Sequence, residues 1–217
     1  MANVIAIIPA RNGSIRLKNK NLKKLLNKPL IFWTIKEALK SKYIKKIIIS
    51  SDSKKILNSF KPNKKIIRSS RLKKLSKSTS KIEDVLIYEI KKNKLSSSDI
   101  VILLQPTSPL RNVELIDSSL KKFIYSKYDT CISFFNLNEK FKNLYSIYKK
   151  KIEKINIKTQ KKIFYPSGDL YIFRVSNFLK SKKIYYGKIL AIITKKYSDI
   201  DNYEEFKITE LKLKLNL

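Results

Sequence analysis

The chain has 217 residues, 43% of them hydrophobic, and sets 49 basic side chains against 17 acidic ones, for a formal charge of +32 with no histidine. That apolar fraction excludes a disordered polyelectrolyte, and the length suits one α/β domain with a buried core. The charge points first to nucleic acid, but only six of the basic residues are arginine and the lysines run through every segment, so solvated surface is expected and no specific nucleic-acid partner.

Residues 3–10 (NVIAIIPA) form a β-branched run, the pattern of a strand covered on both faces. The run is too short for a membrane span and no basic segment precedes it, so a soluble, cytoplasmic chain with no membrane association is expected. A polar loop from Arg11 to Lys28 follows. Pro29 then stands at the first position of a helix, with Leu30, Ile31, Trp33, Thr34, Ile35, Ala38 and Leu39 near a 3.6 period.

Residues 45–53 (KKIIISSDS) read as a second buried strand, with Asp52 at its carboxyl end. There Asp52 either faces a cleft or caps the helix beginning at Lys54. A short strand KKIIRSS, the polar stretch RLKKLSKSTS and an amphipathic helix at residues 81–94 come next. The run DIVILLQPTSPLR is a strand that ends abruptly at Gln105 and Pro106, and a helix from Asn112 and a strand at residues 128–137 follow it. Cys131 lies inside that strand and reads as a small core residue.

Residues 136–164 are polar, lysine-dense and only weakly alternating. SGDLYIFR and KILAIIT are further strands, and NYEEFKITELKLK a final helix. Strand and helix alternate through five units, which predicts a doubly wound, mainly parallel sheet with helices on both faces and functional loops at the strands' carboxyl ends.

The loop after the first strand holds what a nucleoside triphosphate needs. Gly13 lets the backbone approach, Ser14 and backbone amides donate, and Arg11, Arg16 and Lys20 neutralise phosphates. The loop lacks the Walker spacing. Asp199 and Asp201, one residue apart, point the same way in an extended segment and can share a hard cation. A helix cap before NYEEF is the other reading of that pair.

The segments IAIIPARNGSIRLKNKN, NKPLIFWTI, IIISSDS, LLQPTSPLR, SGDLYIF and SDIDNYEEF, in that order, resemble the acylneuraminate cytidylyltransferases, or CMP-sialic acid synthetases. That family includes the legionaminic and pseudaminic acid enzymes, with CMP-Kdo synthetases as more distant relatives, and the likeness covers almost the whole chain. It implies a Rossmann-like nucleotidyltransferase domain over residues 1–217, with a small projecting dimerisation element near residues 138–162 and a homodimer. The implied reaction joins CTP to a nine-carbon acidic sugar, giving CMP-sugar and pyrophosphate with Mg²⁺ or Mn²⁺.

By the same resemblance Arg11, Lys20 and Asp201 are catalytic. Ser14, Arg16, Asn21, Arg68, Ser80 and Gln105 hold the nucleotide. Gln105, Thr107, Ser108, Arg111 and Asp169 hold the sugar, and Asp199 and Asp201 hold the metal. The chain departs from the family pattern at Ile15, where a lysine is usual, at Lys77 and Lys81, at Ser167 and Asp169, and at Tyr165, where some members carry arginine. A catalytically weakened family member and a charge-driven nucleic-acid binder are the alternatives.

Overall fold

The structure is a computed structural model that describes residues 2–136, 145–148, 151–154, 163–194 and 199–215. From the amino end the elements are β1 (Val4–Pro9), a short ladder of β2 (Lys24–Leu25) and β3 (Lys28–Pro29), α1 (Leu30–Lys40), β4 (Ile44–Ser51), α2 (Lys54–Leu57) and β5 (Ile66–Ser70). Next come α3 (Ile82–Lys92), β6 (Ile100–Leu103), α4 (Val113–Ile124) and β7 (Thr130–Asn136). A hairpin of β8 (Tyr145–Tyr148) and β9 (Lys151–Lys154) precedes β10 (Phe164–Arg174), α5 (Val175–Ser181), β11 (Ile189–Thr194) and α6 (Tyr203–Lys214).

Seven strands make one sheet in the order β11-β7-β10-β6-β1-β4-β5. All run parallel except β10, which is antiparallel to both of its neighbours. The crossover through α4 sets β7 one place beyond β6, and β10 fills the gap by coming back from the end of β7, a return that needs no crossover helix.

Alternation along β1 builds the two faces. Val4, Ala6 and Ile8 enter one apolar layer with Ile31 and Ile35 of α1 and Ile116, Leu120 and Phe123 of α4. Ile5 and Ile7 enter the other, with Leu86 and Ile90 of α3 and Phe178 of α5. Each fully buried isoleucine contributes roughly 1.5–3 kcal/mol, which is how a chain so rich in surface charge still folds. Cys131 belongs to the first layer, and burial pushes its thiol up to about 12, as an inert core residue requires.

Three local details differ from the sequence reading. Pro29 is the residue before α1 and keeps an extended ψ of 143°, so it directs the chain into the helix from outside. Helix α5 and the β2–β3 ladder are too short for periodicity to announce. Strand β10 starts at Phe164 rather than Ser167, because Phe164, Tyr165 and Pro166 pair with Asn136, Phe135 and Phe134.

Candidate active site

The carboxyl ends of β1, β4 and β6 emerge side by side, and the loops they release form the site. The loop after β1 is tied to itself: Asn21 Nδ2 donates to Arg11 O at 2.8 Å, and Arg11 Nη1 to Gly13 O at 2.5 Å. From β4, Asp52 Oδ1 accepts the Asn12 N–H at 2.9 Å. Ser53 caps α2, its hydroxyl accepting from Ile56 N at 3.4 Å, so the structure gives Asp52 to the loop.

A cleft of about 360 Å³ opens over this edge. Arg11, Ser14, Lys20 and Asn21 line it from the loop, Gln105 and Thr107 from the end of β6, and Asp199 and Asp201 from the segment before α6. The wall between β5 and α3 adds Arg71, Lys77 and Ser80 with the apolar Leu75, Ile82 and Val85.

Helix α6 is capped by Asn202, whose Oδ1 accepts from Glu205 N at 2.9 Å. Glu205 Oε2 accepts in return from Asn202 N at 3.1 Å and Asp201 N at 2.6 Å. The Asp201 carboxylate is therefore not used as a cap and turns to the loop, meeting Lys20 Nζ at 3.0 Å and Arg16 Nη2 at 2.6 Å. Arg16 thus reaches the site by this pairing, although it lies outside the cleft lining.

Burial raises the Asp199 pKa, the Thr107 hydroxyl opposes the shift, and Asp201 reinforces it. Two neighbouring carboxylates, one carrying a desolvation cost that a cation would relieve, are a donor set suited to a hard divalent ion. Among the described residues no third His, Cys, Asp or Glu joins them, so a metal held here needs oxygens from its ligand.

Arg68 is placed elsewhere than the resemblance implied. It is exposed, its guanidinium lies 5.1 Å over the Phe60 ring, and Nη2 donates to Phe60 O at 2.9 Å. Arg71 lines the cleft instead, at 6% exposure, with Nε on Ser76 Oγ at 3.1 Å and a buried Nη2 that has no hydrogen-bond partner. Desolvation lowers its pKa, and Asp52 and Glu89 oppose that. Arg71 follows the last residue of β5, and its N–H donates to Ser51 O at 2.8 Å as the ladder would, so the strand's alternation extends to it and turns it opposite to Arg68.

The sugar candidates divide. Gln105 and Thr107 line the cleft, whereas Ser108, Arg111 and Asp169 are buried behind its wall. Arg111, 3% exposed, donates to Thr34 Oγ1 at 2.8 Å, to Gln105 O at 3.1 Å and to Asp169 O, and burial lowers its pKa to about 10. Its Nη1 and Nη2 groups thus brace the protein internally, while Nε is buried without a hydrogen-bond partner, and with Asp169 the side chain borders a smaller cavity of about 230 Å³. Asp169 accepts from Ser167 Oγ at 2.8 Å, and burial raises its pKa to about 6 against the opposing pull of Arg111. At Gly168, φ is +76° and an added Cβ would lie 3.3 Å from Gln105 Oε1, so this glycine lets β10 pass the Gln105 side chain.

Comparison with known proteins gives this geometry a family. The N-acylneuraminate cytidylyltransferase of Escherichia coli O18:K1:H7 is 30% identical over 222 residues, covering 94% of this chain and 51% of that protein. The pseudaminic acid cytidylyltransferase of Campylobacter jejuni serotype O:2 is 25% identical over 228 residues, covering 98% of this chain and 97% of that one. The CMP-N,N'-diacetyllegionaminic acid synthase of Legionella pneumophila is 39% identical over 115 residues, covering 52% of this chain and 50% of that protein. The chain thus spans about half the length of several relatives and nearly the full length of others.

A solved CMP:2-keto-3-deoxy-manno-octonic acid synthetase complexed with CTP superimposes with a TM-score of 0.76 over 100% of both chains at 14% identity, a likeness of fold. The family model described as Cytidylyltransferase matches residues 5–216, which is the range that carries every element of the sheet and the cleft, and the chain belongs to that family.

Proposed function

We propose that the chain activates a nonulosonic, sialic-acid-like sugar with CTP, releasing CMP-sugar and pyrophosphate for surface glycan assembly. The observation that carries this reading is one cleft lined by Arg11, Ser14, Lys20 and Asn21 together with Asp199, Asp201 and Arg71. The names of relatives that match nearly the whole chain support it.

The cationic end takes the triphosphate. Arg11 and Lys20 neutralise charge as the sugar's anomeric oxygen bonds to the α-phosphorus, the bond to the pyrophosphate oxygen breaks and the hydroxyl proton is released. The wall between β5 and α3 suits the base. Leu75, Ile82 and Val85 offer apolar contact, Ser80 a hydroxyl, and the unpartnered Arg71 N–H a donor for cytosine O2 and N3. Uracil presents a donor at N3, so the same arginine disfavours UTP.

Asp199 and Asp201 would hold Mg²⁺ or Mn²⁺ together with phosphate oxygens, and the ion would supply charge neutralisation at the reacting phosphate. Gln105 and Thr107 meet the acidic sugar, while Arg111, Ser108 and Asp169 fix Gln105 and β10 from behind. Arg68 drops out of the nucleotide set.

The enzyme is further proposed to work in the cytoplasm as a homodimer through the segment near 138–162, most of which lies outside the described residues. No described helix is long and apolar enough to cross a membrane. Pyrophosphate release tests the function: CTP, Mg²⁺ and a panel of sialic, legionaminic, pseudaminic and Kdo acids should give turnover with at least one acid, and none with UTP. No release with any acid overturns it.

A further inference from the structure

Both oxygens of the Asp201 carboxylate are occupied by cations from one loop, Oδ1 by Lys20 and Oδ2 by Arg16. The two cations are held differently. The Lys20 side chain is 13% exposed and also donates to Ile200 O at 2.7 Å, whereas the Arg16 side chain is 70% exposed and pairs, among the described residues, with Asp201. The Asp201 main chain is fixed, its backbone N–H donating to Glu205 Oε2 in the cap of α6.

A divalent cation approaching Asp201 in the nucleotide-free protein therefore meets two positive charges at the oxygens it needs. A triphosphate in the cleft offers the same lysine and arginine stronger anionic partners. Arg16 is also the sole basic residue between Arg11 and Lys18, since the neighbouring Ile15 contributes no charge.

We infer that Lys20 and Arg16 clamp Asp201 as counter-ions, so that nucleotide and divalent cation bind as a coupled pair: phosphates draw the two cations off the carboxylate, and the metal takes it. This rests on the nucleotide reading of the cleft. Arg16, exposed and singly tethered, is the half of the clamp that opens, and so acts as a positioning residue for Asp201. Coupling of this kind is reciprocal, the metal tightening nucleotide by the factor with which nucleotide tightens metal.

The test is a Mn²⁺ titration of nucleotide-free protein, with free ion read by electron paramagnetic resonance. Arg16→Gln is expected to bind Mn²⁺ more tightly than wild type by about fivefold or more, and adding Asp201→Asn to cancel the gain. Lys77→Gln removes a cation that lines the same cleft without bonding Asp201, and is expected to stay near wild type. Calorimetric CTP binding in Mg²⁺ is followed alongside. If CTP binds while Arg16→Gln shows no gain, or Lys77→Gln gains as much, the clamp is overturned. If wild type binds no CTP, the nucleotide reading falls instead.

Discussion

The cleft and the knot behind it use the same kinds of side chain in opposite ways. At the cleft, Lys20 in its lining and Arg16 just outside it share one carboxylate, and Arg71 keeps a buried N–H without a partner. In the knot, Arg111 donates to a backbone oxygen of β10, a backbone oxygen after β6 and a hydroxyl of α1, and Asp169 accepts from Ser167. Lys20 and Arg16 meet a side-chain carboxylate that a ligand can replace, whereas Arg111 commits Nη1 and Nη2 to fixed backbone and hydroxyl oxygens, although its buried Nε is as unpartnered as Nη2 of Arg71. Residue type alone does not separate the two roles. What separates them is where each donor is already committed.

The sharpest way to break this contrast is Asp201→Asn. It should lower kcat about a hundredfold or more, roughly 3 kcal/mol of transition-state stabilisation, while leaving the melting temperature near wild type. Arg111→Met should do the reverse in kind, losing about 3 kcal/mol of folding stability by denaturant titration because buried acceptors lose their donor. If Arg111→Met is as stable as wild type and fails only in sugar binding, the knot belongs to the ligand after all.

Asp169 tests the knot through pH. Its folded pKa is raised to about 6, above the unfolded value, so the native state binds the extra proton and stability from this group falls as pH rises through the interval from about 4 to 6. Relative to Asp169→Asn, wild type should gain on the order of 2 kcal/mol between pH 7 and pH 4 in calorimetric unfolding. A constant difference across that range would mean that the buried carboxyl does not change protonation.

Arg71→Leu should raise the KM for CTP about tenfold and narrow the preference over UTP, measured by pyrophosphate release. Arg68→Ala is the smallest expected effect: it breaks a contact with Phe60 at the surface, so KM should move less than twofold and stability by about 0.5 kcal/mol.

Much of this was legible in the sequence. The apolar runs announced β1, β4, β6 and β7, and the loop after β1, with its one glycine and two arginines, borders the cleft. Orientation within short strands was harder, because IIRSSR offers two arginines and only pairing with β4 decides which one faces the cleft. The PTSPLR segment was hard to read for a related reason. An arginine fork suits a sugar carboxylate by type, but Arg111 lies where Thr34, Gln105 and Asp169 converge, and that convergence is created by three elements distant in sequence. The antiparallel β10 was hidden because its partner strands are chosen by the crossover that precedes it.

That strand has one more consequence. Asn136, the last residue of β7, lies opposite Phe164, the first of β10, at the edge of the sheet that also carries the cleft. Two chain ends held together by a ladder can be joined by connections of very different length at little entropic cost, which grows only with the logarithm of loop size. A fold wired in this way can exchange the segment between β7 and β10 as a cassette. Insertion and deletion at that point leave the cleft residues after β1 and before α6 in register.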